Sequence, residues 1–187
     1  MHKMDRRSFL RLATGFFLAR PALAGEANGA GTAQRSFMEI YSFACPHCYQ
    51  LHLQLGIWLP LNPQVRCYPV HIVSTPDDLK LAASAYAAAV LGKGDVYRDA
   101  FFKAIYENNR QPDEHAMVAA AQSVGLDGVT FANTMQGPEV AELLGRSEAI
   151  TQRFQIRATP TLVIDMQRVR QPDKDPLAIL EEEFGKG

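Results

Sequence analysis

Cysteine is scarce in this sequence, with three among 187 residues, and tryptophan occurs once. So few cysteines exclude a disulfide-stapled mini-protein, and a chain of this length buries enough core to fold without staples. Glycine and proline, at 13 and 11, are too few for a collagenous or low-complexity chain. A basic surplus is missing as well. The 19 Lys and Arg stand against 20 Asp and Glu, so the charge balance gives no sign of nucleic acid as a partner. The apolar run Leu12 to Ala19 is shorter than the ~20 residues that span a bilayer. What is there is 47% hydrophobic and 21% charged, the balance of one ordinary globular domain, or of a domain with one large insertion.

The first two dozen residues differ from the rest. Lys3, Arg6 and Arg7 precede the apolar run, Arg20-Pro21 ends it, and Ala22-Leu23-Ala24 supplies small residues for a peptidase. This is the order of a secretory signal, which assigns residues 1–24 to a cleaved leader and the mature chain to export. Arg6-Arg7 followed by Ser8-Phe9-Leu10 resembles a twin-arginine export signal, with Asp5 where Ser or Thr is usual. Cleavage would remove five basic residues and one acid, leaving 14 against 19 and a formal charge of −5. A mildly acidic chain has no pull toward nucleic acid or anionic lipid. Residues 25–35 read as a flexible leader. All three cysteines fall in the mature part, in a compartment where thiol pairs oxidise.

Phe37 to Phe43 is strand-like, Tyr49 to Leu55 suits a helix that Pro60 and Pro63 should stop, and Val65 to Val73 reads as a second strand. Pro69 marks a bulge or an edge within that strand. The order is that of a parallel βαβ unit. Thr75-Pro76-Asp77-Asp78 then has the signature of a helix start. Leu79, Ala82, Ala83, Tyr86, Ala87 and Val90 follow at helical spacing, and Gly92 closes the helix. Further helices are expected over Asp95 to Glu107 with Phe101, Phe102 and Ile105 inward, from Pro112 to Gly125, and from Pro138 toward Phe154. Strands return at Thr161 to Ile164 and Arg168 to Arg170 around a turn at Asp165-Met166-Gln167, and Pro176 to Phe184 forms a closing helix. The expected architecture is α/β, with residues 36–74 and 155–187 forming one domain and an all-helical insertion at 75–154.

Cys45-Pro46-His47-Cys48 stands where the first strand gives way to a helix. Two intervening residues at a helix start bring both sulfurs within disulfide reach, and Pro46 fits the first turn, where its missing N–H is not needed. Cys45 would then lie over unpaired N–H groups at the positive end of the helix dipole, which favours its thiolate, and a protonated His47 would add to this. A stable thiolate leaves well, so the dithiol form is favoured and the disulfide is a strong oxidant. Cys45 is expected to take the attack of a substrate thiolate, and Cys48, one turn deeper, to resolve the mixed disulfide. Thr159-Pro160 begins a strand, and a cis bond there would leave a backbone edge for an extended peptide. Zinc held by Cys45, Cys48, Cys67 and His71 is a competing arrangement. An inert structural disulfide is another, though a two-residue loop stabilises little. Haem attachment fails because Tyr49, not His, follows Cys48.

The run Glu39-Ile40-Tyr41-Ser42-Phe43-Ala44-Cys45-Pro46-His47-Cys48-Tyr49-Gln50 closely resembles the active-site segment of the DsbA-like thiol:disulfide interchange proteins, and Ala158-Thr159-Pro160-Thr161 resembles their cis-proline loop. The resemblance covers about residues 36–184. It implies a thioredoxin fold with an inserted all-helical domain. It implies Cys45 as nucleophile, Cys48 as resolving thiol, Pro46 and His47 as thiolate-tuning residues, and Thr159 and Pro160 as the substrate-binding loop. No cofactor is implied beyond a redox-active Cys45–Cys48 disulfide, and no metal. Glu39 matches an acid that assists proton transfer when buried and unpaired, its pKa raised; it reads equally as a strand-edge acid facing water. Thr159 departs from the Val usual in the oxidases and is commoner in isomerases. Cys67, extra for a one-dithiol enzyme, is expected in the core, and His52 and His71 in local packing or hydrogen bonds.

The function so implied is a periplasmic oxidoreductase, a monomer, that donates its disulfide to unfolded or reduced exported proteins and is reoxidised by a DsbB-type membrane quinone reductase. The alternatives are a disulfide isomerase or reductase, and a peptide-binding chaperone without redox chemistry.

Overall fold

The computed structural model describes residues 35–171 and 175–185; the expected signal and most of the leader at 25–35 lie outside them. In chain order the elements are β1 (Arg35–Tyr41), α1 (Pro46–Leu61), β2 (Val65–His71), α2 (Pro76–Val90), α3 (Gly94–Tyr106), α4 (Glu114–Ser123), α5 (Gly128–Met135), α6 (Pro138–Arg153), β3 (Thr161–Ile164), β4 (Arg168–Arg170) and α7 (Pro176–Phe184). The sheet order is β2-β1-β3-β4. β1 pairs in parallel with β2 and antiparallel with β3, and β3 pairs antiparallel with β4. This is the thioredoxin arrangement, with α2 to α6 inserted between β2 and β3.

β1 is central and covered on both faces, and its alternation sorts its side chains into different cores. Phe37 meets Leu51, Leu55 and Trp58 of α1 and Leu180 of α7. Met38 and Ile40 point the other way, onto Val70, Ile72, Ile156 and Val163. At the end of β1, Tyr41 and then Phe43 enter the core of the helical block, with Tyr97, Phe101, Phe102, Met117 and Phe131. The ring of Phe43 meets those of Phe101 and Phe102 edge-on at centroid distances of 4.7 and 4.9 Å, geometries that add to the gain from burial.

Several elements differ from expectation. Arg35 belongs to β1, not to a leader. α1 runs through Pro60 to Leu61, because a proline in the last turn forfeits one ladder bond while Trp58 and Leu55 stay anchored below. The Asn62 side-chain amide then donates to the Trp58 carbonyl at 2.9 Å. Leu79 and Val90 are exposed and Ile105 only half-buried, while Leu81, Ala85 and Ala88 are buried, so the inward face of α2 is rotated from the expected stripe. α5 is an additional helix. Its sequence GVTFANTM is rich in weak helix formers, and it is held by the Asp127 cap on Thr130 N–H at 2.8 Å and by Phe131 in the core. Pro69 makes no bulge, the β1–β2 register being continuous through it, but it does stand on an edge strand, the other of its two expected readings.

Candidate active site

β1 ends at Tyr41, three residues turn, and Cys45 caps α1 with extended backbone, followed by Pro46 as the first helical residue. Cys45 N–H donates to Ser42 O at 3.1 Å, and Cys45 O accepts from Cys48 N–H at 3.0 Å. Cys45 is thus locked as an N-cap whose own side chain is not used for capping. Cys45 is half-buried and Cys48 fully buried, both as free thiols. The two differ widely in acidity. Cys45 is lowered to about 5, first because the Cys48 thiol donates to its sulfur, against burial, with Thr159 and the backbone N–H groups of Cys48 and His47 adding to the effect. Cys48 is pushed far up, first by that same hydrogen bond and then by burial. The helix-tip amides foreseen from sequence therefore contribute, but the partner thiol contributes more.

The Thr159–Pro160 bond is cis, and Thr159 O lies 3.3 Å from Cys45 Sγ. The dithiol and this loop, 114 residues apart in sequence, thus share one face. Pro46 and His47 are exposed on the first turn, Thr159 is half-buried and Pro160 buried.

Glu39 is buried with a raised pKa, as the first of its expected descriptions had it, but is not unpaired, and it does not face water. It sits on a central strand with no exposed surface, and it is paired: Arg98 Nη1 of α3 donates to Glu39 Oε2 at 2.7 Å. Burial raises the Glu39 pKa, with Arg98 working against it. Glu39 Oε1 and Arg98 Nε have no hydrogen-bond partner among the described residues. Cys67 Sγ lies 4.0 Å from Glu39 Oε2, is half-buried, and is pushed well up by burial and then by Glu39.

His71 is fully buried, its Nδ1–H donating to Ile72 O at 2.7 Å and its Nε2 accepting from Phe43 N–H at 3.0 Å. Burial lowers it to about 4, so it is neutral with both nitrogens engaged and has no lone pair for zinc. His52, also lowered by burial, faces Asp99 at 3.4 Å.

Sequence reasoning missed Arg98, Tyr106 and Asp78. The Tyr106 hydroxyl donates to Phe43 O at 2.9 Å, and Asp78 Oδ1 accepts from the Ser42 hydroxyl at 3.0 Å. Asp78 stood in a recognised helix start, but its reach to the loop before Cys45 had no local signal. Arg98 and Tyr106 had none at all.

A strand-to-helix dithiol of unequal acidity, facing a proline loop within a mixed four-stranded sheet, defines a thiol oxidoreductase of the thioredoxin superfamily. The chain belongs to the DSBA-like thioredoxin domain family, whose model matches residues 38–185, and it is an enzyme of dithiol–disulfide exchange. Among solved structures it is similar to the oxidoreductase DsbA from Xylella fastidiosa, at 24% identity over 75% of this chain and 78% of that one, with a TM-score of 0.69. It is also similar to a thioredoxin-like oxidoreductase from Silicibacter pomeroyi DSS-3, at 20% identity, 79% and 83% coverage and a TM-score of 0.67. Pseudomonas aeruginosa DsbA follows at 16% identity, 76% of both chains and a TM-score of 0.65. At these identities the likeness is one of fold. No curated protein sequence matches the chain.

Proposed function

We propose that this protein is an exported oxidase that passes a Cys45–Cys48 disulfide to reduced proteins in the periplasm. The single observation that carries this reading is the split in acidity between an accessible Cys45 at about 5 and a buried Cys48 pushed far up. A client thiolate attacks Cys45 Sγ, the Cys45–Cys48 bond breaks, and the electron pair leaves on Cys48 Sγ, which takes up a proton. The client is then held on Cys45 as a mixed disulfide. A second client thiolate attacks the client sulfur of that bond, forming the client disulfide and expelling Cys45 as its stable thiolate. Two electrons have moved from client to enzyme. If no second thiolate arrives, Cys48 attacks Cys45 and returns the client reduced.

Thr159 and Pro160 act here as the backbone edge beside which the client lies, and Pro46 and His47 as exposed residues that tune the thiolate. Turnover requires an electron acceptor, for which a DsbB-type membrane quinone reductase is the family's partner. Thr159 before the proline is what favours the second reading, an isomerase or reductase.

The equilibrium of the pair with glutathione, measured together with the Cys45 thiolate titration, tests the proposal. A strongly oxidising pair with an acidic Cys45 is expected. A pair as reducing as thioredoxin's would turn the assignment to a reductant, and a Cys45 titrating like free cysteine would end it. In Cys48→Ser the Cys45 thiolate can still attack the disulfide of an oxidised client, whose other sulfur leaves as a thiolate, and with no resolving thiol the mixed disulfide should accumulate as reductant-sensitive adducts on gels.

A further inference from the structure

Three residues, Ser42 to Ala44, turn the chain from β1 into α1, and side chains from three elements tie them down. Ala44 N–H donates to Ser42 Oγ at 3.1 Å, while the Ser42 hydroxyl is itself held by Asp78 of α2. Phe43 N–H ends on His71 Nε2 of β2, and Phe43 O accepts from the Tyr106 hydroxyl of α3. Both backbone dipoles of the residue two before Cys45 are therefore fixed by side chains that no neighbouring sequence supplies. The imidazole is locked by Ile72 O on its other nitrogen, so it offers Phe43 an acceptor of fixed direction. Tyr106 is held in turn: its ring stacks on Tyr49 at 4.9 Å and 10°, and Tyr49, the residue after Cys48, donates through its hydroxyl to Glu107 at 2.6 Å. The end of α3 thus grips the chain on both sides of the dithiol, and Tyr106 packs in the same core as Cys45.

We propose that Tyr106 is a positioning residue for the exchange reaction: by holding the Phe43 carbonyl it keeps Cys45 Sγ aligned with the donors that stabilise its thiolate. This rests on the disulfide-donor reading above. Hydrogen bonds weaken steeply with misalignment, and those to a charged sulfur have the most to lose. A loop released at Phe43 lets Cys45 drift from the first-turn N–H groups and from the Cys48 thiol. The thiolate becomes a poorer leaving group and the disulfide a weaker oxidant.

The test is Tyr106→Phe, which keeps the ring and its stack and removes only the hydroxyl. Ser84→Ala is the control, since the buried Ser84 hydroxyl also donates to a backbone carbonyl, Leu81 O at 2.7 Å, and touches neither the loop nor the residues that hold it. The Cys45 thiolate titration, followed by ultraviolet absorbance, and the glutathione equilibrium are measured for both and for the parent. In Tyr106→Phe the Cys45 pKa should rise by ~0.5 unit, with the equilibrium shifting about threefold toward the protein disulfide. Ser84→Ala should leave both where they were. A Tyr106→Phe protein that titrates like the parent overturns the inference alone, as does a Ser84→Ala protein that shifts equally, because general loosening would then explain both. A parent Cys45 titrating like free cysteine overturns the inference and the disulfide-donor reading together.

Discussion

Cys45 and Cys48 share one helical turn and differ because one sulfur is reached by N–H groups while the other gives its proton to that first sulfur from a buried site. Cys45 is lowered to about 5 in the folded dithiol, against ~8.5 for a thiol in an unfolded chain. Between those values the unfolded dithiol binds more protons than the folded one, so stability rises with pH. The contribution is fully present above ~8.5 and is lost as pH falls through about 5. The disulfide form lacks it. Cys48, pushed up, has the opposite sign but acts only above ~8.5, and His71 titrates in both forms and cancels from their difference. Urea unfolding of the two forms should therefore show the dithiol losing ground to the disulfide as the solution is acidified. A difference that stays constant with pH would contradict an acidic Cys45. The dithiol and its proline loop were legible in the sequence because each motif is local. Arg98 was not, since it reaches Glu39 from 59 residues away on a helix whose approach is set by packing.

Among the elements, α2 shows how a local signal can carry a distant duty. Its Thr75-Pro76-Asp77-Asp78 start was readable, and the capping box is present, with Asp78 N–H donating to Thr75 Oγ1 at 3.2 Å and Asp78 Oδ2 accepting from Thr75 N–H at 3.0 Å. The same carboxylate also accepts from Ser74 N–H at 3.2 Å and holds Ser42, joining the helix to the turn before Cys45. Asp78→Ala should then cost more than an ordinary cap, ~2–3 kcal/mol, because charge-assisted bonds to buried partners go with it. Denaturant unfolding of the variant measures this, and a loss below ~0.5 kcal/mol, typical of a surface change, would show that the links are dispensable. α1, β2, β3, β4 and α7 followed from patterning and turn residues. α5 did not, because eight residues with a single buried aromatic leave no periodicity to read.

At the scale of the molecule, the sequence suggested an α/β domain interrupted by a helical one, and the order of elements has that form. The side chains do not respect the division. Tyr41, Phe43, Cys48 and Tyr49, from β1, the turn and α1, lie in one core with residues of α2 to α6, and Glu39 of β1 is paired with Arg98 of α3. Removing the helical block would leave those aromatics and a carboxylate bare, so neither part has a complete interior of its own. Thermal or urea unfolding followed by near- and far-ultraviolet circular dichroism should give one coincident transition. Two separated transitions would show that the parts are independent.

Pro69 stands in the middle of the outer strand β2, with an unbroken ladder on its inner side. Such a residue has no amide hydrogen to offer, and a sheet tolerates it only where that missing donor faces away from a neighbour. At the opposite margin β4 is three residues long. Stray extended polypeptide therefore meets an interrupted template along one border and a stub along the other. Both borders resist the edge-to-edge growth that leads to aggregation, a useful trait for a molecule whose proposed work brings it against chains that have not yet folded.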